Sequence, residues 1–178
     1  VNKQSLTVLP PQGLVYGSAP VSLIANSDSG LPVTINVISG PGLMEGDKLA
    51  LTGAGMVKLQ ASQSGNDEYA DTDKFFEILV GKGTQSIAWA EVPVKTFGDL
   101  PFEVSASASS NLALTYEVVS GPATIDGAKV TLTGGGTVVL KASQSEDDNW
   151  NSAEAVKTLE VKRAAQTISF EYMPGREF

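Results

Sequence analysis

Two tandem all-β modules of about 80 residues each, folded as two-sheet sandwiches, are the fold class this sequence predicts. Three observations carry that expectation. The first is a gapless internal repeat: Gln85-Ser86-Ile87 repeats Gln4-Ser5-Leu6, Gln166-Thr167-Ile168 opens a third copy, and each copy begins 81 residues after the one before. Residues 4–84 and 85–165 share 26 of 81 positions, the signature of an array of structural repeats. The second is an apolar alternation of period two that survives in both copies although most positions differ. The third is punctuation by turn residues every eight to twelve positions, with no helical period over ten residues.

Taken in chain order, Leu6 and Val8, matched by Ile87 and Trp89, open each repeat with a short strand. Val21, Leu23 and Ala25 match Phe102, Val104 and Ala106, with Ala108 extending the second copy; polar residues lie between several of them, as in a half-buried antiparallel strand. Val33, Ile35 and Val37 match Leu114, Tyr116 and Val118, and a short strand follows over 123–125. Leu49 and Leu51 match Val130 and Leu132; Val57, Leu59 and Ala61 match Val138, Leu140 and Ala142. Ile78 and Val80, over Leu159 and Val161, make the last strand, for six to eight strands per repeat. Ser39-Gly40-Pro41 and Ser120-Gly121-Pro122 fit chain reversals between strands. Thr52-Gly53-Ala54-Gly55 and Thr133-Gly134-Gly135-Gly136 hold the glycines a hairpin with positive φ would use. A two-sheet sandwich is expected, and a β-barrel of similar size is the alternative that strand counting leaves open.

The repeat boundaries divide the chain into modules at 1–83 and 84–165 and the truncated start of a third repeat at 166–178. The joints at Gly81–Thr84 and Lys162–Ala165 are about four residues long, too short to let modules fold back on each other, so an extended arrangement is expected. The third start carries Ile168 and Phe170, which must either fray or lie against a neighbour. Phe178 repeats the aromatic of Phe97 and Tyr16.

Composition narrows function by exclusion. The chain has no cysteine, so neither disulfides nor thiolate metal sites stabilise it. No apolar stretch approaches the 18 or so residues that span a bilayer, and no membrane contact is expected within the segment. The net charge of −8 is spread evenly, with four basic against eight acidic residues in the first repeat and six against ten in the second, which opposes nucleic-acid binding. Without a histidine the usual serine-protease base is missing, and Thr52–Gly55 and Gly134–Gly136 lack the lysine and the helix of a phosphate loop. Paired carboxylates facing a cleft are not indicated either, since the acids fall in turns or alternate outward. The sequence reads as a non-enzyme without cofactors.

The candidate sites are therefore few. Asp67 and Glu68, with their counterparts Asp147 and Asp148, form acidic loops that could offer oxygens to calcium; a solvated turn accounts for them more simply, and the spacing of a calcium loop is missing. Tyr69 and Trp150 follow those loops and read as rings tucked between the sheets, with a sugar-stacking platform as the alternative. Gly17 and Gly98 recur at a turn where the next residue changes from Ser18 to Asp99, which points to backbone geometry and not to the carboxylate. Gly40, Pro41, Gly121 and Pro122 are structural on the same ground. Lys48 and Lys129 are equivalent; an amide to an asparagine is conceivable, but their turn-rich setting favours exposure. Phe75, Tyr172 and Trp89 are the spare rings for a ligand.

In order along the repeats, a Q-[ST]-I-x-[FW] opening at Gln85–Trp89 and Gln166–Phe170, [YF]-G-[DS]-x-P-[FV], L-x-[LV]-T-[YI]-x-V-[VI]-S-G-P, K-[VL]-x-L-T-G-x-G and A-S-Q-S precede a late aromatic at Tyr69 or Trp150. This succession resembles the immunoglobulin-like tandem repeats of large secreted and surface proteins of Bacteroidetes and related bacteria. The resemblance covers both repeats and the third start. It implies immunoglobulin-like β-sandwiches, an extracellular, secreted or cell-surface location, and a role as spacer, adhesion stalk or accessory module. Neighbouring repeats of the same polypeptide would be the first partners, and a surface protein or glycan the second. A glycan- or protein-binding module and a calcium-stiffened repeat are the rival roles. Small-angle scattering tests the extended arrangement: a particle roughly twice as long as one module is expected, and a globular one contradicts it.

Overall fold

A computed structural model of the chain describes residues 1–171. Among the described residues every regular element is a strand. Contacts divide the chain into two compact units: unit 1 is Val1–Gln85 with Ser145–Ala153, and unit 2 is Ser86–Gln144 with the chain from Glu154.

The first repeat holds β1 (Leu6–Leu9), β2 (Val21–Ser22), β3 (Ile24–Ser27), β4 (Thr34–Ser39), β5 (Gly42–Glu45), β6 (Lys48–Leu51), β7 (Gly55–Gln63) and β8 (Thr72–Val80). Its sheet β4-β7-β8 faces the sheet β2-β6-β5, and β1 pairs with β3. Alternation drives this layout. On β7, Val57, Leu59 and Ala61 are buried while Met56 and Lys58 face out, and Ile78 and Val80 do the same on β8. These side chains meet Leu49 of the opposite sheet, and Val21, Ile35, Val37, Met44 and Phe76 close the cluster. Each fully buried Leu or Val contributes about 1.5–3 kcal/mol, so this cluster carries much of a small module's stability.

The second repeat follows the same plan: β9 (Ile87–Trp89), β10 (Lys95–Thr96), β11 (Phe102–Glu103), β12 (Ala106–Ala108), β13 (Thr115–Ser120), β14 (Ala123–Asp126), β15 (Lys129–Leu132), β16 (Gly136–Gln144) and β17 (Ala153–Lys162). The sheet β10-β17-β16-β13 faces β11-β15-β14 across Val104, Val130, Leu132, Val138, Leu140, Leu159 and Val161. Two all-β modules in tandem, each with facing sheets that remain separate, are sandwiches and not barrels.

Three local expectations need correction. The single strand expected over Phe102–Ala108 is two: β11 pairs with β15, and β12 pairs with β9. Between them the Val104 amide donates to Ala128 O and the Ala90 amide to Ser105 O, so the chain changes ladders while Val104 stays in the core. Period two survives such a step, which is why the pattern hides it. Next, the pairing is not antiparallel throughout: Lys95–Thr96 runs parallel to Val161–Lys162, and Val15 bridges Gly81 in the same sense. Last, Thr52–Gly55 is not a hairpin turn, because β6 and β7 belong to different sheets. The tight hairpin is β5–β6, where Glu45 opposes Lys48 across Gly46 and Asp47.

The Ser-Gly-Pro reversals carry β4 to β5 and β13 to β14, from one sheet to the other. At Gly40 (φ 97°) a Cβ would lie 2.1 Å from Met56 O, and at Gly121 (φ 101°) 2.2 Å from Thr137 O. Only glycine lets the crossing pass against the central strand. Pro41 then rests on Gly53 and Gly55, and its carbonyl accepts the Thr52 amide at 3.0 Å; Pro122 and Thr133 repeat the contact at 2.9 Å. Gly40→Ala is expected to destabilise the first repeat by about 3 kcal/mol or more, read as a lower urea midpoint at unchanged slope. A loss under about 1 kcal/mol would show that the crossing has room.

Candidate functional site: the aromatic turn and its socket

The connection from β7 to β8 is a turn closed by its own polar groups. Asn66 Oδ1 accepts the amides of Glu68 and Tyr69 at 2.9 and 2.8 Å, and the Asn66 amide donates to Tyr69 O at 2.9 Å. The second turn repeats this through a carboxylate: Asp147 Oδ1 accepts the amides of Asn149 and Trp150 at 2.8 and 2.6 Å. Each turn is also bound by the segment that precedes a repeat. Asn2 exchanges backbone bonds with Glu68 and Ala70, and Gly83, 81 residues later, exchanges them with Asn149 and Asn151.

The glutamine that marks each repeat has a physical task here. Gln4 Nε2 donates to Gln63 Oε1 and to Ala70 O, while its Oε1 accepts the hydroxyls of Ser27 and Ser29 at 2.7 and 2.6 Å. Gln63, the buried polar residue of A-S-Q-S, accepts the Gly65 amide at 2.7 Å. Gln85 Nε2 repeats the bond to the turn, donating to Asn151 O at 2.7 Å. The neighbouring serine is used too. The Ser5 amide and hydroxyl donate to Asp28 and hold its carboxyl below the usual range, and in the second repeat the Ser86 amide donates to Ser109 Oγ instead.

Trp150 sits in a socket within unit 1. Its ring meets Tyr16 edge to face, with centroids 5.1 Å apart and planes at 68°. It covers Gly17 and Gly83; a Cβ on Gly83 would lie 2.7 Å from the indole and 2.5 Å from Tyr16 O. Beside it Asn149 Oδ1 accepts the Ala54 amide at 2.8 Å, and Lys82 lies 3.5 Å from Glu146. Trp150 and Tyr69 are both half-buried, and neither belongs to the buried clusters between the sheets.

The remaining candidates are plainly placed. Asp67, Glu68, Asp147 and Asp148 are exposed, and one oxygen of Asp147 is committed to the turn backbone. Among the described residues no group of three or more His, Cys, Asp or Glu side chains comes together to hold a metal ion. Asp99 caps its own turn through the Thr96 amide at 2.9 Å. Lys48 and Lys129 are exposed. Trp89 is not a spare ring: it packs on the core, donates to Ala155 O at 3.2 Å and meets Tyr116 at 5.6 Å. Phe75 is 65% exposed; Ile168 and Phe170 are 79% and 92% exposed and lie outside any strand. Tyr172 and Phe178 fall outside the described residues. The arrangement can brace backbone and present a ring; among the described residues it aligns no reacting groups.

No family model matches the sequence, and neither does any curated protein. Among solved structures, Drosophila N-cadherin EC1-4 is similar at 14% identity over 83% of this chain and 45% of that chain, with a TM-score of 0.39. An endo-fucoidan hydrolase of glycoside hydrolase family 107 is similar at 16% identity over 92% and 29% (TM-score 0.35). A SusE-like surface-located polysaccharide-binding protein of Bacteroides thetaiotaomicron is similar at 12% identity over 88% and 34% (TM-score 0.31). This chain spans less than half the length of each. The likeness is one of β-sheet fold alone.

Trp150→Ala removes a half-buried ring and leaves Gly83 facing a void. A loss of about 2 kcal/mol in the unfolding of unit 1 is expected by denaturant titration, and under about 0.5 kcal/mol would show that the socket does not depend on its ring.

Proposed function

We propose that this chain is a structural spacer segment of a bacterial cell-surface or secreted adhesin-like protein, built from immunoglobulin-like modules that carry other domains outside the cell. One observation carries the reading. The residues that recur at an interval of 81 either fill the core, as Val57 and Val138, or serve backbone geometry: Gly40 and Gly121 at the crossings, Gln4 and Gln85 on the turns, and Pro41 and Pro122 against the glycines. A segment whose repeated chemistry is spent on its own folding suits a role in which length and durability matter. The evenly spread negative charge supports it, since it limits unspecific association of neighbouring modules.

A second reading, as a glycan- or protein-binding module, is favoured by one feature. Phe75 lies exposed on the outer face of β4-β7-β8, near Ile38 and beside β7. Replacing the segment in its parent protein by two unrelated sandwich modules of the same length separates the readings. The spacer reading expects adhesion to be retained. Loss of adhesion on that replacement, reproduced by Phe75→Ala alone, would establish the binding role.

A further inference from the structure

The two repeats fill one part of the sandwich differently. In the second, Tyr116 reaches from β13 to β12, where its hydroxyl oxygen accepts the Ala106 amide at 3.0 Å. Trp89 packs beside that ring, with centroids 5.6 Å apart. In the first repeat Ile35 stands in the place of Tyr116, and Val8 in the place of Trp89. A pocket of about 290 Å³ lies there, lined chiefly by Leu23, Ala25, Val33, Ile35, Met44 and Asp47. All of these residues belong to unit 1, and the difference between the repeats comes from strand residues of each module itself. An isoleucine has the length to fill only the part of that space nearest its own backbone.

The pocket has a polar end as well as apolar walls. The Asp28 amide donates to Ser5 O, so bonded pairs alternate along β1 and β3 from that point, and Val8 faces Ala25 without exchanging backbone bonds. The Ala25 amide therefore points away from β1, as the Ala106 amide points away from β9 when it donates to Tyr116. Ile35 offers it no oxygen.

We propose that this pocket is a binding site for a small para-substituted phenol whose hydroxyl accepts the Ala25 amide and whose opposite end is neutral or cationic. The second repeat shows that a phenol ring fits such walls: Leu23, Ala25, Val33 and Met44 answer to Val104, Ala106, Leu114 and Ile125, apolar in both. Size agrees, since a cavity of about 150 Å³ already takes a benzene ring and the larger volume here leaves room for a substituent. Charge narrows the class. Asp47 stands at the lining in the place of Ala128, and no lining residue is basic, which disfavours an anionic substituent and favours an ammonium group.

The site stands whether or not the chain serves as a spacer. Two-dimensional NMR of the isotope-labelled full chain, titrated with para-cresol, tests it. Saturable shifts of the Ala25 amide and the other lining amides are expected, with a Kd of about 1 mM or tighter for a ligand of this size. The Ala106 amide already has its phenol and is the internal reference, expected to stay in place. Toluene, the same ring without a hydroxyl, should bind about fivefold or more weakly. Tyramine should bind more tightly than para-hydroxyphenylacetate, and Asp47→Ala should narrow that gap. Ile35→Tyr supplies the ring from the chain itself and is expected to abolish para-cresol binding while raising the melting temperature. The proposal is overturned by no saturable shift up to about 10 mM para-cresol, by toluene binding as well as para-cresol, or by Ala106 shifting as much as Ala25. Preference for para-hydroxyphenylacetate, or undiminished binding to a folded Ile35→Tyr chain, overturns it equally. Should Ile35→Tyr fail to fold, the toluene comparison and the Ala106 reference decide on the wild type alone.

Discussion

The sandwich depends on a crossing that only glycine permits. A strand that has paired in one sheet must reach the other within three residues, and its backbone passes against the carbonyl of the central strand on the way. At Gly40 and Gly121 there is no volume for a side chain, and φ lies where other residues are strained. Register shifts between Val37 and Ser39 and between Val118 and Ser120 precede the crossing, so the strand bends before it leaves. Once β5 is delivered, β6 pairs with it and brings Leu49 over Leu59; the core is a consequence of the crossing as much as a cause of folding.

The long connection between the last two strands poses a different physical problem. It leaves eight residues of backbone outside any strand between Gln63 and Thr72, and unpaired polar groups there would cost the small module stability it can ill spare. Side-chain amides and carboxylates answer this locally. Asn66 and Asp147 are interchangeable because the turn needs an acceptor at that point and not a charge. Gln4 joins the turn to the hydroxyls of Ser27 at the end of β3 and Ser29 beyond it, so polar contacts reach where the apolar cluster does not.

Much of the fold was legible in the sequence because a strand buried on one face writes its periodicity directly into the chain. Val57, Leu59, Val138 and Leu140 were readable as core for that reason, and all four are fully buried. What stayed hidden was pairing. Alternation through Phe102, Val104 and Ala106 is the same whether the chain stays in one ladder or changes sheets, and two-residue parallel contacts such as Lys95–Val161 leave no apolar signature. The site was legible as positions but not as contacts. Tyr69 and Trp150 stood out by recurrence, yet nothing in the sequence says that Trp150 rests on Tyr16 and Gly83 and not between the sheets. The roles of Gln4 and Gln63 had one available signal: each is a glutamine that recurs in place in the second copy, Gln63 within the unchanged A-S-Q-S and Gln4 beside an unchanged serine.

That pattern of recurrence explains how two repeats can differ at most positions and share one fold. The shared residues cluster where backbone has no alternative: glycines at the crossing, prolines against the following glycines, glutamines on the turn. Core positions are kept in part, as Val57, Leu59 and Val80, and elsewhere exchange for another apolar residue, as Leu49 for Val130 or Ile78 for Leu159, because neighbouring side chains can compensate a methylene. Divergence in this chain therefore follows the cost of change: it is least where the backbone itself is in contact and greatest on the outward faces of the strands.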